Sequence, residues 1–438
     1  MNASNVGNMT HGGMGLPSQM EGFSPSYFQG AIALVMPQGL LSVPYHISPE
    51  TLASALSLER TWVKTFSTIH PRGKRVINLR SDTCSLQPEG MKQAMYNANV
   101  GDAEYFEDSD TIRLENMVAQ ITGKEAALLF SSGVQANQVA TIVHTGQFNS
   151  ALLSKSTHIH TTEVGGLASF LGVKFLPVET SGESLSATDI ENEYRTPTLY
   201  NRPINLVILE QPLMNGRIVP LNDLEAAYKM AKSLGQKVHI DAARLFNATA
   251  ALDVDVKEIT QYADSLMFCL SKGLGAPIGS MLCGSKELID KARQIRKLLG
   301  GGMRQTGYLA ACGIWTLENM VDQIAVDNIN AKYLGQSLDY VLQPHIEIDL
   351  SHVETNMVFF KITKQNFNHD CFIEYLRSTH IIISPRNIDT GFYRLVTHHG
   401  VTRYDVDMVG RWRVMSSGIA LFVGINDYLQ LHLCILKT

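Results

Sequence analysis

The chain has 438 residues, a formal net charge of -5, and 18% charged against 45% hydrophobic residues. That length allows a large core and two domains, and that balance is ordinary for a soluble globular protein with no membrane span. No basic run exists to neutralise phosphates, which argues against nucleic-acid binding. The 6 cysteines are scattered without a Cys-x-x-Cys pair, so neither a disulfide framework nor a zinc site is expected, and a reducing, cytoplasmic compartment fits best.

Residues 1–71 are rich in Gly, Met, Ser and Pro and poor in charge. Disorder is expected to about Pro25, with one helix over residues 48–67. Residues 1–45 hold no Lys or Arg, unlike a secretory or mitochondrial signal. Residues 31–37 are apolar but too short to span a bilayer. Residues 419–425 are apolar too and read as a buried strand or helix. The chain divides into an extension over 1–75, a large domain over 76–325 and a smaller α+β domain over 326–438.

Residues 76–83 read as a short strand entering a polar turn. Helical periodicity follows at Met91, Met95 and Ala98. Residues 101–110 form an acidic loop with aromatics, a candidate lid. Ile112, Leu114, Met117, Val118 and Ile121 repeat at helical spacing and stop at Gly123. Residues 126–137 read as a strand, a Ser-Ser-Gly turn and a helix. Such a helix start exposes N–H groups at the positive end of the dipole, a phosphate seat.

Strands and helices then alternate. Strands are expected at 151–153, 173–178, 205–210, 237–241 and 265–270, with an amphipathic helix at 221–234. This rhythm predicts a doubly covered, mostly parallel sheet with right-handed crossovers. Ligands in such sheets sit at the carboxyl ends of strands. Ser132, His158, Glu210, Asp241 and Lys272 all lie at or just beyond those ends. A basic helix at 289–299 runs into Gly300-Gly301-Gly302, which leaves Arg304 free to reach away. One helix is expected from Tyr308 to about Leu342. Beyond it come strands at 357–362 and 392–396 and a helix at 370–378.

Lys272 ends a buried strand and faces the loop Gly273-Leu274-Gly275-Ala276-Pro277. A desolvated lysine there is suited to forming a Schiff base with an aldehyde. Asp241-Ala242-Ala243-Arg244 puts a carboxylate and a guanidinium at one strand end, with a structural ion pair as the alternative that Lys272 argues against. Lysine, carboxylate and phosphate seat together point to pyridoxal phosphate, whose aldehyde, ring nitrogen and phosphate need those three groups. His158 and His160 lack an evident third ligand, so no metal is expected.

Residues 78–398 resemble the fold-type I threonine aldolases. The resemblance rests on Leu79-Arg80-Ser81-Asp82-Thr83, residues 101–108, Ser132-Gly133 with Ala136-Asn137-Gln138, and His158 with Glu163-Val164-Gly165-Gly166. It continues through residues 239–247, 269–277 and 300–305, and through Arg394-Leu395-Val396-Thr397-His398. It implies that Lys272 carries the cofactor and Asp241 pairs with its ring nitrogen. Arg244 would bond the ring's phenolic oxygen, and His158 would stack on the ring. Ser132, Gly133 and Val134 would seat the phosphate. Ser81 and Arg394 would hold the substrate carboxylate, with Arg244 and Tyr105 also lining that site. Arg304 would reach the phosphate of a neighbouring subunit, which implies a homo-oligomer, dimer or tetramer, with sites at its interfaces.

Three departures stand out. Val134 replaces the family's usual threonine, Gln211-Pro212-Leu213 replaces Asn-Thr-His, and a second histidine has no counterpart near residues 194–200. After Val406 the family's terminal helix is hard to see. The activity implied is reversible cleavage of threonine or allo-threonine to glycine and acetaldehyde, with His158, or a water it holds, as base. The rivals are elimination or racemisation with the same cofactor, and a catalytically silent homologue.

Overall fold

The computed structural model describes residues 75–410, apart from 147–148, 167, 169–171 and 181–183. Outside that span it describes the backbone of two hairpins. One pairs Ile32–Met36 with Gly39–Val43 and the other pairs Trp412–Val414 with Ala420–Phe422, both antiparallel. The first belongs to a separate unit, residues 1–52. The expected disorder to Pro25 and the helix over 48–67 lie outside the described residues.

A seven-stranded sheet carries the body of the chain. Its strands are β1 Ala126–Phe130, β2 Ser150–Ser154, β3 Lys174–Val178, β4 Ile204–Glu210, β5 Lys237–Asp241, β6 Ser265–Cys269 and β7 Ser280–Gly284. They lie in the order β1-β7-β6-β5-β4-β2-β3. From β6 to β3 all neighbours are parallel, and β7 runs antiparallel to both β6 and β1. The sheet is therefore the expected mostly parallel one, with an antiparallel strand that the sequence reading omitted.

Every residue of β2, β6 and β7 is buried, as strands covered on both faces must be. Alternation sorts the two faces. Val238, Ile240, Leu266 and Phe268 join the largest hydrophobic cluster. Met267 and Cys269 pack on the other face against Ala136, Val139 and Ala140 of the helix Gly133–Thr145. His239 and Asp241 share that second face, under the helix.

A second cluster collects Leu334, Leu338, Phe360, Tyr393 and Leu395, and draws in Ile77 and Leu79 from the start of the body. Its strands Met357–Ile362 and Tyr393–Val396 pair antiparallel, and its helix is His369–Ser378. Ile77–Asn78 pairs in parallel with Ile381–Ile382.

One expectation is corrected. The long helix at 308–342 is two helices, Gly307–Asn319 and Val321–Leu342, broken at fully buried Met320. No glycine or proline marks the break. A short helix, Arg403–Val409, is started by a capping box between Thr402 and Asp405; the stretch after it, where the family's terminal helix was hard to see, lies outside the described residues apart from the second hairpin. Among the described residues, no helix is long and apolar enough to cross a membrane.

Candidate active site

The carboxyl ends of the parallel strands meet at one rim. Glu210 closes β4 and Asp241 closes β5, and the two are register partners. Both are buried. His158 begins the turn of helix His158–Thr161 four residues beyond β2, and its backbone N–H donates to Glu210 Oε1. Lys272 lies three residues beyond β6. Its charge is among the influences that lower the pKa values of Asp82, Glu210 and Cys269. Its backbone is held in a closed arch. Leu270 N donates to Gly279 O, Gly275 N to Lys272 O and Ala276 N to Leu270 O. Gly275 has φ +79, and a Cβ there would approach His399 Cε1 at 2.8 Å, so the arch requires glycine at this position.

One ring nitrogen of His158, one oxygen of Glu163 and one oxygen of Asp241 lie within 4.8 Å of one another. The sequence reading placed no third ligand for His158 and His160; the fold sets Glu163 and Asp241, and not His160, beside His158. His158 Nδ1 is 3.2 Å from Glu163 Oε1. Asn137 Nδ2 donates both to Glu163 Oε1, at 2.9 Å, and to Asp241 Oδ2, at 2.8 Å. Two hydrogens on one nitrogen thereby separate two carboxylates. Burial pushes Glu163 up from the ordinary carboxylate range, against the hydrogen bonds from His158 and Asn137. Burial, then repulsion from Asp241, pushes Glu210 up to about 8.

Ser132 caps the helix Gly133–Thr145, its Oγ accepting from Gln135 N at 3.2 Å. The backbone N–H groups of Gly133 and Val134 in the first turn have no partner within the helix, as at any helix start. Gly133 sits tight on β6, because a Cβ there would fall 2.3 Å from Met267 Cε.

Arg244 does not pair with Asp241. Its Nε and Nη2 donate to the two oxygens of Asp82 at 2.7 and 2.8 Å. Asn356 Nδ2 adds a third donor to Asp82 at 3.1 Å. The alternative reading of Asp241 and Arg244 as an ion pair is thus overturned: Asp241 takes its bonds from Asn137 and from Ala243 N. Ser81 precedes Asp82, its Oγ accepting from Thr83 N. Arg394 Nη2 donates to Arg80 O at 3.3 Å, which brings Arg394 beside Ser81. Burial, then repulsion from Arg244, lowers the Arg394 pKa.

Tyr105 and Arg304 stand with the acidic loop instead. Tyr105 is 71% exposed there. Arg304 Nη1 pairs with Asp102 and Glu104 of its own chain at 3.0 and 3.1 Å. Asp82, Asn137 and Glu163 are the residues to which sequence reasoning assigned no role. The one usable signal was that all three fall inside the motifs that carried the resemblance.

Residues 78–365 match the beta-eliminating lyase family. The chain is 34% identical to the low specificity L-threonine aldolase of Escherichia coli K12 over 340 residues, which cover 77% of this chain and 98% of that protein. It is 36% identical to the low-specificity L-threonine aldolase 1 of Arabidopsis thaliana, covering 76% of this chain and 94% of the relative. The solved Leishmania major threonine aldolase superposes with a TM-score of 0.65 at 18% identity, covering 76% of this chain and 97% of that one. The two curated relatives named above are threonine aldolases, and the chain belongs to the beta-eliminating lyase family of fold-type I pyridoxal-phosphate enzymes.

Proposed function

We propose that the protein cleaves threonine and allo-threonine to glycine and acetaldehyde with pyridoxal phosphate. One relationship supports the reading: Lys272 just beyond β6, Asp241 at the end of β5 and the open first turn of the helix Gly133–Thr145 beyond β1 all lie at the carboxyl-end rim of one sheet. That donor set fits the cofactor's aldehyde, ring nitrogen and phosphate. When bound, the cofactor supplies an electron sink for the bond that breaks at the substrate's Cα.

The chain's own residues do the rest. Arg394 and Ser81 clamp the substrate carboxylate, the guanidinium as a two-pronged donor. This orients the breaking bond. His158, hydrogen-bonded through Nδ1 to Glu163 Oε1 at 3.2 Å, serves as the base that takes the substrate hydroxyl's proton, a transfer typically worth about 10²–10⁴-fold in rate. Gln211 is turned away from the site, bonded through its amide to both backbone groups of Val219. A chain without the family's histidine at 213 therefore leans on His158.

Arg304 would leave Asp102 for the phosphate of a second subunit in a homodimer or homotetramer, with Tyr105 lining the substrate site. Cytoplasmic threonine breakdown with glycine formation, no metal, and a domain boundary near residue 325 complete the reading. Purified protein should show a visible cofactor band and form glycine from one or both threonine diastereomers. Ammonia with a keto acid, or inverted amino acid, would replace it with elimination or racemisation. A colourless, inactive protein would leave a silent homologue.

A further inference from the structure

We infer that Asn137 and His239 are positioning residues for Asp241, and that Ser265 and His144 set the direction in which they donate. The inference rests on Asp241 being the partner of the cofactor's ring nitrogen, as proposed above.

Four side chains form a line behind Asp241 that forks only at Asn137, which also reaches Glu163. His144 Nε2 lies 2.7 Å from Ser265 Oγ, and Ser265 Oγ lies 2.8 Å from His239 Nδ1. His239 Nε2 lies 3.1 Å from Asn137 Oδ1, and Asn137 Nδ2 reaches Asp241. Two elements build the line. Asn137 and His144 are seven residues apart on the helix Gly133–Thr145, two turns or about 10 Å along one face. Beneath them, His239 and Ser265 are register partners on β5 and β6.

With Asp241 ionised and both rings neutral, these contacts fix the direction in which the hydrogens run. Asn137 turns its amide nitrogen to Asp241, because its carbonyl oxygen would repel that carboxylate. That oxygen then accepts from His239, so Nε2 carries the hydrogen. In a neutral ring Nδ1 is bare and accepts from the Ser265 hydroxyl. With its one hydrogen used, Ser265 accepts from His144 Nε2–H. Every donor points toward Asp241. Burial keeps both rings neutral: it pushes His239, with His144 adding repulsion, down to about 3, and pushes His144 down to about 4 despite nearby Asp264. A reversed His239 tautomer would remove the donor to Asn137 and free its amide to flip.

Two measurements test this. In apo protein labelled with nitrogen-15 at histidine, His239, assigned through the His239→Gln variant, should be protonated at Nε2 and fail to titrate from about pH 5 to pH 8. An Nδ1–H form, or a titration in that range, overturns the inference. In holoenzyme, His239→Leu and Asn137→Leu should weaken pyridoxal phosphate binding about 10- to 100-fold, as loss of outer partners does for metal ligands, and alter the visible band. His239→Gln should restore most of both, because its amide can donate to Asn137. Wild-type affinity and spectrum in folded leucine variants overturn the inference. If those variants do not fold, Ser265→Ala decides: weaker binding supports it and unchanged binding sinks it. A wild-type protein that binds no cofactor would defeat the proposed function, while the tautomer measurement would still decide the hydrogen-bond line.

Discussion

Arg244 grips Asp82 across 162 residues of sequence, with Nε and Nη2 each donating to one carboxylate oxygen. Burial alone would raise the Asp82 pKa; the Arg244 guanidinium overrides it and holds the carboxyl far below its ordinary range. Asp82 is fully buried. Asp82→Asn strands the guanidinium, and breaking such a buried pair costs about 3–5 kcal/mol. Urea unfolding of the variant should show that loss. A loss below about 1 kcal/mol would mean that solvent reaches the pair.

Glu210 gives a pH dependence of opposite sign. Its folded pKa, about 8, exceeds the ordinary 4.5. Between those values the folded chain holds a proton that the unfolded chain has released. Stability therefore falls as pH rises through that window. Glu210→Gln should flatten the fall between about pH 5 and pH 8 when melting temperature is followed against pH. An unaltered slope would assign the effect to other groups.

Arg394 should act on binding. Arg394→Ala removes charge-assisted bonds worth about 1.5–3 kcal/mol, so the KM for threonine should rise about 10- to 100-fold while the cofactor's visible band stays. An unchanged KM would place the carboxylate elsewhere.

Lys272→Ala should abolish the visible band of lysine-bound cofactor and nearly all glycine formation. A wild-type spectrum in this variant would refute the assignment of the Schiff-base lysine.

The strands were legible because parallel strands are apolar runs with sharp edges: β5 begins and ends as the pattern predicts, and β4 begins one residue earlier. What failed was whatever depends on distant partners. Ser280–Gly284 carries two small residues and no alternation, and it becomes a strand because β1 and β6 flank it. Asp82 looked like one more polar residue in a polar turn; its burial comes from Arg244 and Asn356. Glu163 and Asn137 were visible as motif letters, but their contact with Asp241 joins positions 104 residues apart in the case of Asn137. Their roles follow from where the helix Gly133–Thr145 lies on the sheet, which no local pattern encodes.

The arch that carries Lys272 returns directly into β7, whose five residues are matched one to one on both flanks. Deleting a single residue between Gly273 and Gly279 would turn Met281 and Cys283 out of the large core and put Leu282 in their place. The number of residues in that bend is thus constrained more tightly than their identity, and tolerance to indels should vanish there even where point changes are accepted.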